Sequence, residues 1–464
     1  MAGLRAHLEH PQRRGHTPPR SHTGAAGGAA CGDLVRISVA VDGPSVVDAG
    51  FDAGGCAAAV AAGSAVIALV RERPVLEAAR VGPAEIAREL GGLSVAGQHA
   101  ADIAADALHR ALGSAARADA VLPADPGRTL VAMSGGVDSA VAALLAGPEA
   151  VAVTLELWSD PANDGERSCC SPEAVRGARA LAHGMGLPHL SIDLRAEFRA
   201  GVVDPWLADH AAGLTPNPCV RCNGGVRLDE MLTLADRLGA AALATGHYAR
   251  VEGGLLRAAA DPAKDQCYML AGLRPSSIAR LRFPLGELHK DAVRELAAGA
   301  GLPVAGKPDS QDLCFLAGTG RAAFLARHGD QHAHPGPIVD RSGRRLGRHR
   351  GQHEYTVGQR RGLGVGGGEP LYVLEKTGDT VVVGRRAELE TRRVTLRDTV
   401  IHREGADSVK VRYRQRPLPC RVVAGPEDGR LELELLDPAP GGVAPGQLGC
   451  LMAGELVVGH GTIV

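Results

Sequence analysis

Thr129-Leu130-Val131-Ala132-Met133-Ser134-Gly135-Gly136-Val137-Asp138-Ser139, running on into Ala140-Val141-Ala142-Ala143-Leu144-Leu145-Ala146, decides the fold. Residues 129–133 form a short apolar run of strand character, residues 134–139 a glycine-containing turn, and residues 140–146 a helical stretch. Glycines allow a backbone to approach an anion closely, and the helix start behind them offers free N–H groups and the positive end of a dipole. No lysine follows the glycines, so this is not the loop that grips a β/γ-phosphate for phosphoryl transfer. Downstream, apolar strand-like runs at 150–157, 189–194 and 241–244 alternate with helical patterns at 172–185 and 227–238. Strands separated by helices predict an α/β domain whose parallel sheet is covered on both faces.

The flanks read differently. Residues 1–29 carry Arg5, Arg13, Arg14 and Arg20 among Pro, His and Gly, without an apolar stretch, and are expected to be a disordered tail rather than a secretory signal. Residues 34–47 alternate in strand fashion, Gly54-Gly55-Cys56 leads into an Ala-rich helix, and helical patterns recur near 83–90 and 97–112. These make a small α+β unit over residues 30–116. Ala, Asp and Pro mark 117–128 as a linker. Beyond residue 318 helices thin out, and from Pro337 short Val-, Leu- and Arg-rich runs broken by Gly and Pro have the texture of a small β-barrel or sandwich.

Lys plus Arg number 51 and Asp plus Glu 52, so any nucleic-acid surface must come from local clustering. Hydrophobic residues make up 45% and aromatics only 3%, which predicts aliphatic cores. No run of about twenty apolar residues appears, so no membrane span is expected. Ten cysteines in 464 residues are too sparse for a disulfide scaffold, and close pairs point instead to metal, cluster or redox chemistry.

Thr215-Pro216-Asn217-Pro218-Cys219-Val220-Arg221-Cys222-Asn223 holds one such pair. Its prolines stiffen an extended backbone, and the CxxC spacing lets two thiolates meet one metal or one another. A third thiol lies in Lys307-Pro308-Asp309-Ser310-Gln311-Asp312-Leu313-Cys314-Phe315. Without a second CxxC, a closed structural zinc site is the weaker reading. Cys169 and Cys170 receive no role, and Cys267, Cys420 and Cys450 read as structural.

The Ser134–Ser139 turn resembles the PP-loop, SGGxDS, of the ATP-pyrophosphatase superfamily. Together with the cysteine segments, Ala244-Thr245-Gly246-His247-Tyr248, Lys264-Asp265-Gln266, Gly358-Gln359-Arg360-Arg361-Gly362-Leu363-Gly364 and Val411-Arg412-Tyr413-Arg414-Gln415, residues 129–464 resemble the tRNA-specific 2-thiouridylases, the MnmA or TrmU family. The resemblance implies a PP-loop catalytic domain at 129–318, a central tRNA-binding domain at 319–386 and a C-terminal β-barrel at 387–464. It implies that ATP, with Mg, is held by Ala132, Met133, Ser134, Gly135, Gly136, Val137, Asp138, Ser139, Leu157 and Gly246. The C2 oxygen of a tRNA uridine would attack the α-phosphate, and a sulfur nucleophile would displace AMP. Cys314 matches the persulfide-bearing cysteine and Cys222 the cysteine that closes a disulfide with it. As the thiolate is the reactive form, a cationic neighbour is expected, with Arg221 the candidate. Lys264, Asp265, Gln266, Arg412 and Tyr413 match tRNA-contacting positions. The implied partners are tRNA and a sulfur donor such as a cysteine desulfurase or relay protein, and the implied location is the cytoplasm. One departure matters: many members carry Asp where this chain has Cys219. Cys219, Cys222 and Cys314 could then ligate a [4Fe–4S] cluster, an alternative to persulfide relay.

Two basic clusters suit phosphate contacts: Arg341, Arg344, Arg345, Arg348, Arg350, Arg360 and Arg361 with His349 and His353, and Lys410, Arg412, Arg414, Arg416 and Arg421. Tyr355 and Tyr413 are candidates to stack on bases. At the front, Cys31, Asp33, Cys56 and His99 resemble the ligand positions of iron–sulfur scaffold proteins of the IscU/NifU type, except that the third cysteine is Ala100. These four form a candidate N/O/S set for Zn or Fe. The domain is thus either a rigid appendage or a source of sulfur or iron for Cys314. Two further readings of the whole chain remain: a non-enzymatic iron–sulfur assembly protein, which leaves the PP-loop unused, and a PP-loop ligase acting on a small metabolite, which the CxxC pair and basic clusters oppose.

Overall fold

A computed structural model describes residues 2–28, 32–160, 171–309, 313–316, 319–329, 334–365 and 369–464. At its centre five parallel strands lie in the spatial order Leu281–Arg282, Ala240–Thr245, Asp125–Ala132, Ala150–Glu156, His189–Asp193. The chain enters in the middle, builds outward to one side, then returns to build the other. The direction reverses between Asp125–Ala132 and Ala240–Thr245, and the crevice beyond the carboxyl ends at such a reversal is where open α/β sheets bind ligands. All seven residues of Ala150–Glu156 are buried, which explains why that segment reads as a continuous apolar run rather than an alternating one.

Residues 2–28 are not a disordered tail. The helix Ala2–Glu9 packs on the helix Ala57–Val70, with His7 Nδ1 2.8 Å from the Ser64 hydroxyl. The strand His22–Gly27 pairs antiparallel with Leu34–Asp42, which pairs in turn with Ser45–Gly54. Composition hid this order because the strand His-Thr-Gly-Ala-Ala-Gly has no bulky apolar side chain. Its small residues instead let it lie close against the long helix Val95–Ala118, and the upstream histidines take specific partners, His16 on Asp48 and His22 on Asp119, each at 2.8 Å.

The expected linker at 117–128 narrows to residues 119–124, between a helix and a strand. The long helix runs through Ala118, the central strand of the parallel sheet begins at Asp125, and Arg117 pairs with Glu197 at 2.6 Å. That helix also packs against the edge strand His189–Asp193 of the parallel sheet, closing an edge that would otherwise be open to other chains. Arg110 grips Glu156 through two bonds of 2.7 and 2.9 Å, and Asp106 accepts from Arg176 at 2.7 Å and Arg179 at 2.5 Å. His109, His183 and His189 fill the same seam, with ring centroids 5.3 to 6.4 Å apart.

After the parallel-sheet domain come the helix Arg321–His328 and a four-stranded sheet ordered Arg345–His349, Gly336–Val339, Thr380–Gly384, Tyr372–Thr377. Six strands, Arg393–Ile401, Arg430–Leu435, Leu418–Glu427, Ser408–Lys410, Leu448–Ala453 and Leu456–Ile463, then close into a barrel through pairing of the first with the last. A hairpin of the catalytic domain, Arg250–Glu252 with Leu255–Arg257, is stitched onto this barrel at Leu456. Among the described residues no helix is long and apolar enough to cross a membrane.

Candidate active site

The loop Ser134–Ser139 sits where the strand Asp125–Ala132 hands over to the helix Val137–Ala146. Gly135 adopts φ +72°, a conformation side chains resist, and Gly136 caps the helix without a side chain. The first N–H groups of the helix are thereby left to an anion. Ser139 is buried and braces the turn, accepting from Ser134 N at 3.1 Å and donating to the Gly136 carbonyl at 3.0 Å. From the neighbouring strand end, Gly246 comes so close that a Cβ there would lie 2.8 Å from Ser139 N. Ala132, Met133, Val137 and Leu157 are all buried, so main-chain atoms are what they can offer a nucleotide.

Charged groups from the distant half of the domain converge on this turn. Asp138 accepts from Lys290 Nζ at 2.7 Å and from the Tyr248 hydroxyl at 2.8 Å. Burial first, and then the Asp138 carboxylate, raise the Tyr248 phenol well above its ordinary range, so it stays a donor. Lys290 also reaches Asp309 at 2.8 Å, and Asp309 takes Lys264 at 2.7 Å. Burial would raise the Asp309 carboxyl, but Lys264 and Lys290 outweigh it and hold it below its usual value. Lys307 Nζ donates to the Gly135 carbonyl at 3.0 Å. Residues 307–309, on the way to Cys314, are therefore pinned to the phosphate loop. Lys290 carries no local signature, and the sequence reading missed it: it lies 152 residues beyond the carboxylate it serves.

The CxxC segment folds as a short helix Pro218–Arg221, capped by Asn217 accepting from Cys219 N at 3.1 Å, and continues into a π-helix Cys222–Arg227. Such irregular turns recur at functional sites. Asn223 is buried and donates to the Met269 carbonyl at 3.3 Å, which ties the thiols to the Lys264-Asp265-Gln266 segment. Cys222 and Cys314 are half-buried and both pack against the central apolar core, while Phe315 is locked edge-on to Trp206 at 5.3 Å.

Arg221 does not serve the thiols; it turns to Asp209 at 3.6 Å. The cation facing this region is Arg227, five residues past Cys222, which has no carboxylate partner among the described residues. Burial pushes the Cys219 thiol up despite Arg227. Burial, and after it Arg227, push His247 down to about 3. Among the described residues no three His, Cys, Asp or Glu side chains come together as a metal-holding group. Cys219, Cys222 and Cys314 thus do not fit a shared cluster in this arrangement.

The positions expected to touch RNA are mostly engaged in holding domains together. Asp265 is paired with Lys410 of the barrel at 2.7 Å, and Gln266 takes Tyr248 N at 2.9 Å. Arg412 donates to the carbonyls of Val357 and Gly441 at 3.0 and 2.9 Å. Tyr413 is half-buried beside Tyr268, with Arg414 5.5 Å from its ring centre. Tyr355 is buried against His349 and presents no stacking face. Several arginines of the two clusters are neutralised as well: Arg341 by Glu388, Arg344 by Asp340 and Arg421 by Glu434.

In the front domain Asp33 accepts from both the amide and the thiol of Cys56, at 2.7 and 3.2 Å, and Cys56 is exposed. Cys31 lies outside the described residues, as do Cys169 and Cys170. His99 sits in the first turns of the long helix.

Four family models match in sequence order. These are a NifU-like N terminal domain over residues 4–118, a tRNA methyl transferase HUP domain over 127–318, a tRNA methyl transferase PRC-barrel domain over 322–385 and an aminomethyltransferase beta-barrel domain over 388–463. The chain is 44% identical to the bifunctional protein NifU/MnmA of Rubrobacter xylanophilus, with 98% of this chain and 97% of that one covered. It is 45% identical to the tRNA-specific 2-thiouridylase MnmA of Methylorubrum extorquens, with 72% of this chain and 93% of that one covered.

Proposed function

The chain belongs to the family of bifunctional NifU/MnmA proteins, and on that footing we propose that it catalyses ATP-dependent 2-thiolation of the wobble uridine of tRNA in the cytoplasm. The observation that carries this reading is the bond from Lys307 to the Gly135 carbonyl, which couples a thiol-bearing segment to a phosphate-binding turn.

In the proposed reaction ATP lies on the Ser134–Ser139 turn, contacted by the main chain of Ala132, Met133, Leu157 and Gly246. The uridine C2 oxygen attacks the α-phosphate and pyrophosphate leaves, converting a poor leaving group into AMP. Positive charge from Lys290 and the helix start offsets the negative charge that builds in that step. The terminal sulfur of a Cys314 persulfide, supplied by a cysteine desulfurase or relay protein, then attacks C2 and AMP departs. Cys222 thiolate attacks the Cys314 sulfur, closing a Cys222–Cys314 disulfide and leaving the transferred sulfur on the base as the thiocarbonyl. An external thiol reduces that disulfide before the next cycle. Mg would accompany the ATP phosphates.

A second reading, iron–sulfur scaffolding by the front domain, is favoured by the Asp33–Cys56 contact, which keeps two ligand types of the NifU-like site side by side. Iron analysis of anaerobically reconstituted protein, compared with Cys56→Ala, tests it.

The thiolation reading is tested by incubating the full chain with tRNA, ATP, cysteine and a cysteine desulfurase, then analysing nucleosides by mass. The expected product is 2-thiouridine, formed only with ATP and absent for Cys314→Ser. Product formed without ATP, or undiminished in Cys314→Ser, would contradict it.

A further inference from the structure

Several cations of the C-terminal half pair with carboxylates, among them Arg341, Arg344, Lys410 and Arg421, whereas a half-buried group drawn from three separate elements does not. Arg321, the first residue of the helix Arg321–His328, donates to the Glu354 carbonyl at 2.9 Å. Lys376, from the strand Tyr372–Thr377 of the central domain, donates to the next carbonyl, that of Tyr355, at 3.0 Å. Successive carbonyls thus bring a guanidinium and an ammonium to one spot, at the positive end of a helix. His353 precedes them by one residue. From the catalytic domain comes His210, only 4% exposed, whose Nδ1 is buried without a hydrogen-bond partner.

These groups repel one another. Burial, then Arg321, lowers Lys376 to about 8, and burial, then Arg321, Lys376 and His353, lowers His210 to about 3. Burial lowers Arg321, with only Glu354 opposing it, and burial lowers His353 against Glu354, with Arg321, Lys376 and His349 adding to the drop. Among the described residues Glu354 is the carboxylate that acts on Arg321 and His353, and its side chain forms no ion pair with Arg321 or Lys376. Half-buried cations without a counter-charge are costly to maintain unless an anion completes them. A planar fork beside an ammonium suits the oxygens of a phosphate.

We propose that Arg321, Lys376 and His353 form a seat, at the seam between the catalytic and central domains, for a backbone phosphodiester of the RNA substrate. The assignment rests on the tRNA reading above. It adds a half-buried contact at the domain seam to the exposed arginines of the two basic clusters.

The test measures binding of the full chain to a tRNA transcript over a salt series, for wild type, Arg321→Gln with Lys376→Gln, and Lys376→Arg. ATP binding is measured alongside, so that a phosphate of the nucleotide is distinguished from one of the RNA. The double variant is expected to bind tRNA roughly tenfold more weakly at 0.1 M salt, with the log–log salt slope smaller by about one. Lys376→Arg keeps the slope, and ATP affinity is the same in all. A double variant with the wild-type slope would overturn the seat, including one whose lower melting temperature reveals loss of the two carbonyl contacts alone. Weakened ATP binding with unchanged tRNA binding would overturn it too. Should the wild type bind no tRNA, the seat and the thiolation reading fall together; should it bind tRNA while the variants are indifferent, only the seat falls.

Discussion

Lys410 of the barrel and Asp265 of the catalytic domain form a buried ion pair at 2.7 Å, with the Cys267 thiol donating to the same carboxylate at 3.0 Å. Burial alone would raise Asp265, but Lys410 outweighs it and keeps the carboxyl below its usual value. The pair fixes how the barrel meets the segment that also holds Asn223 beside the thiols. Lys410→Met leaves a buried carboxylate without its partner and is expected to destabilise the fold by about 3 kcal/mol. Asp265→Asn combined with Lys410→Met should recover part of that loss. Denaturant midpoints of the two variants check this; equal losses in both would show that the pair is not coupled.

Lys290 lies between Asp138 and Asp309, against the phosphate turn. If it offsets charge in the adenylation step, Lys290→Met should slow tRNA-dependent pyrophosphate release by about a hundredfold or more. Lys290→Arg should retain most of the rate. Pyrophosphate release from single turnovers measures it, and a change confined to ATP affinity would assign Lys290 to ground-state binding instead.

Cys219 shares the CxxC segment with Cys222, yet burial pushes its thiol up. At neutral pH it is protonated and cannot act as a base. Cys219→Ala is therefore expected to leave thiolation within about tenfold of wild type, whereas Cys222→Ser abolishes turnover by removing the attacking thiolate. Thiolation assays on the two variants distinguish them, and a Cys219→Ala protein as inactive as Cys222→Ser would return a catalytic role to that thiol.

The seam between the front and catalytic domains should be acid-sensitive. His109 and His189 are fully buried, and burial holds both well below the ordinary imidazole value, helped by Arg179 and by each other or His183. In the unfolded chain each takes up a proton near pH 6.5, so below that pH the unfolded state binds more protons than the folded one. The stability present above pH 6.5 is therefore lost progressively as pH falls below it. Melting temperatures across that range check it, with His189→Asn expected to flatten the profile.

The motifs that carry chemistry were legible because they are local: the Ser134–Ser139 turn needs its glycines in register, and the CxxC segment announces itself by spacing. What sequence could not display is what tertiary contact supplies. The strand His22–Gly27 lacks an apolar pattern because its neighbours demand small side chains. Lys290 is meaningful only once the sheet brings it to Asp138. A linear count of arginines also does not show pairing: Arg344 and Arg421 meet Asp340 and Glu434, while Arg348 and Arg360 have no carboxylate partner among the described residues. Arg221 looked like the thiol's neighbour by adjacency, but the helix turns it toward Asp209.

Following an oxygen atom tests the proposed chemistry at its root. With tRNA whose wobble uridine carries oxygen-18 at C2, the full chain, ATP and a sulfur source should yield 2-thiouridine and AMP bearing the heavy isotope, one label for each base thiolated. Heavy oxygen found in water or pyrophosphate, or retained in the thiolated RNA, would contradict activation of the nucleobase carbonyl by adenylation.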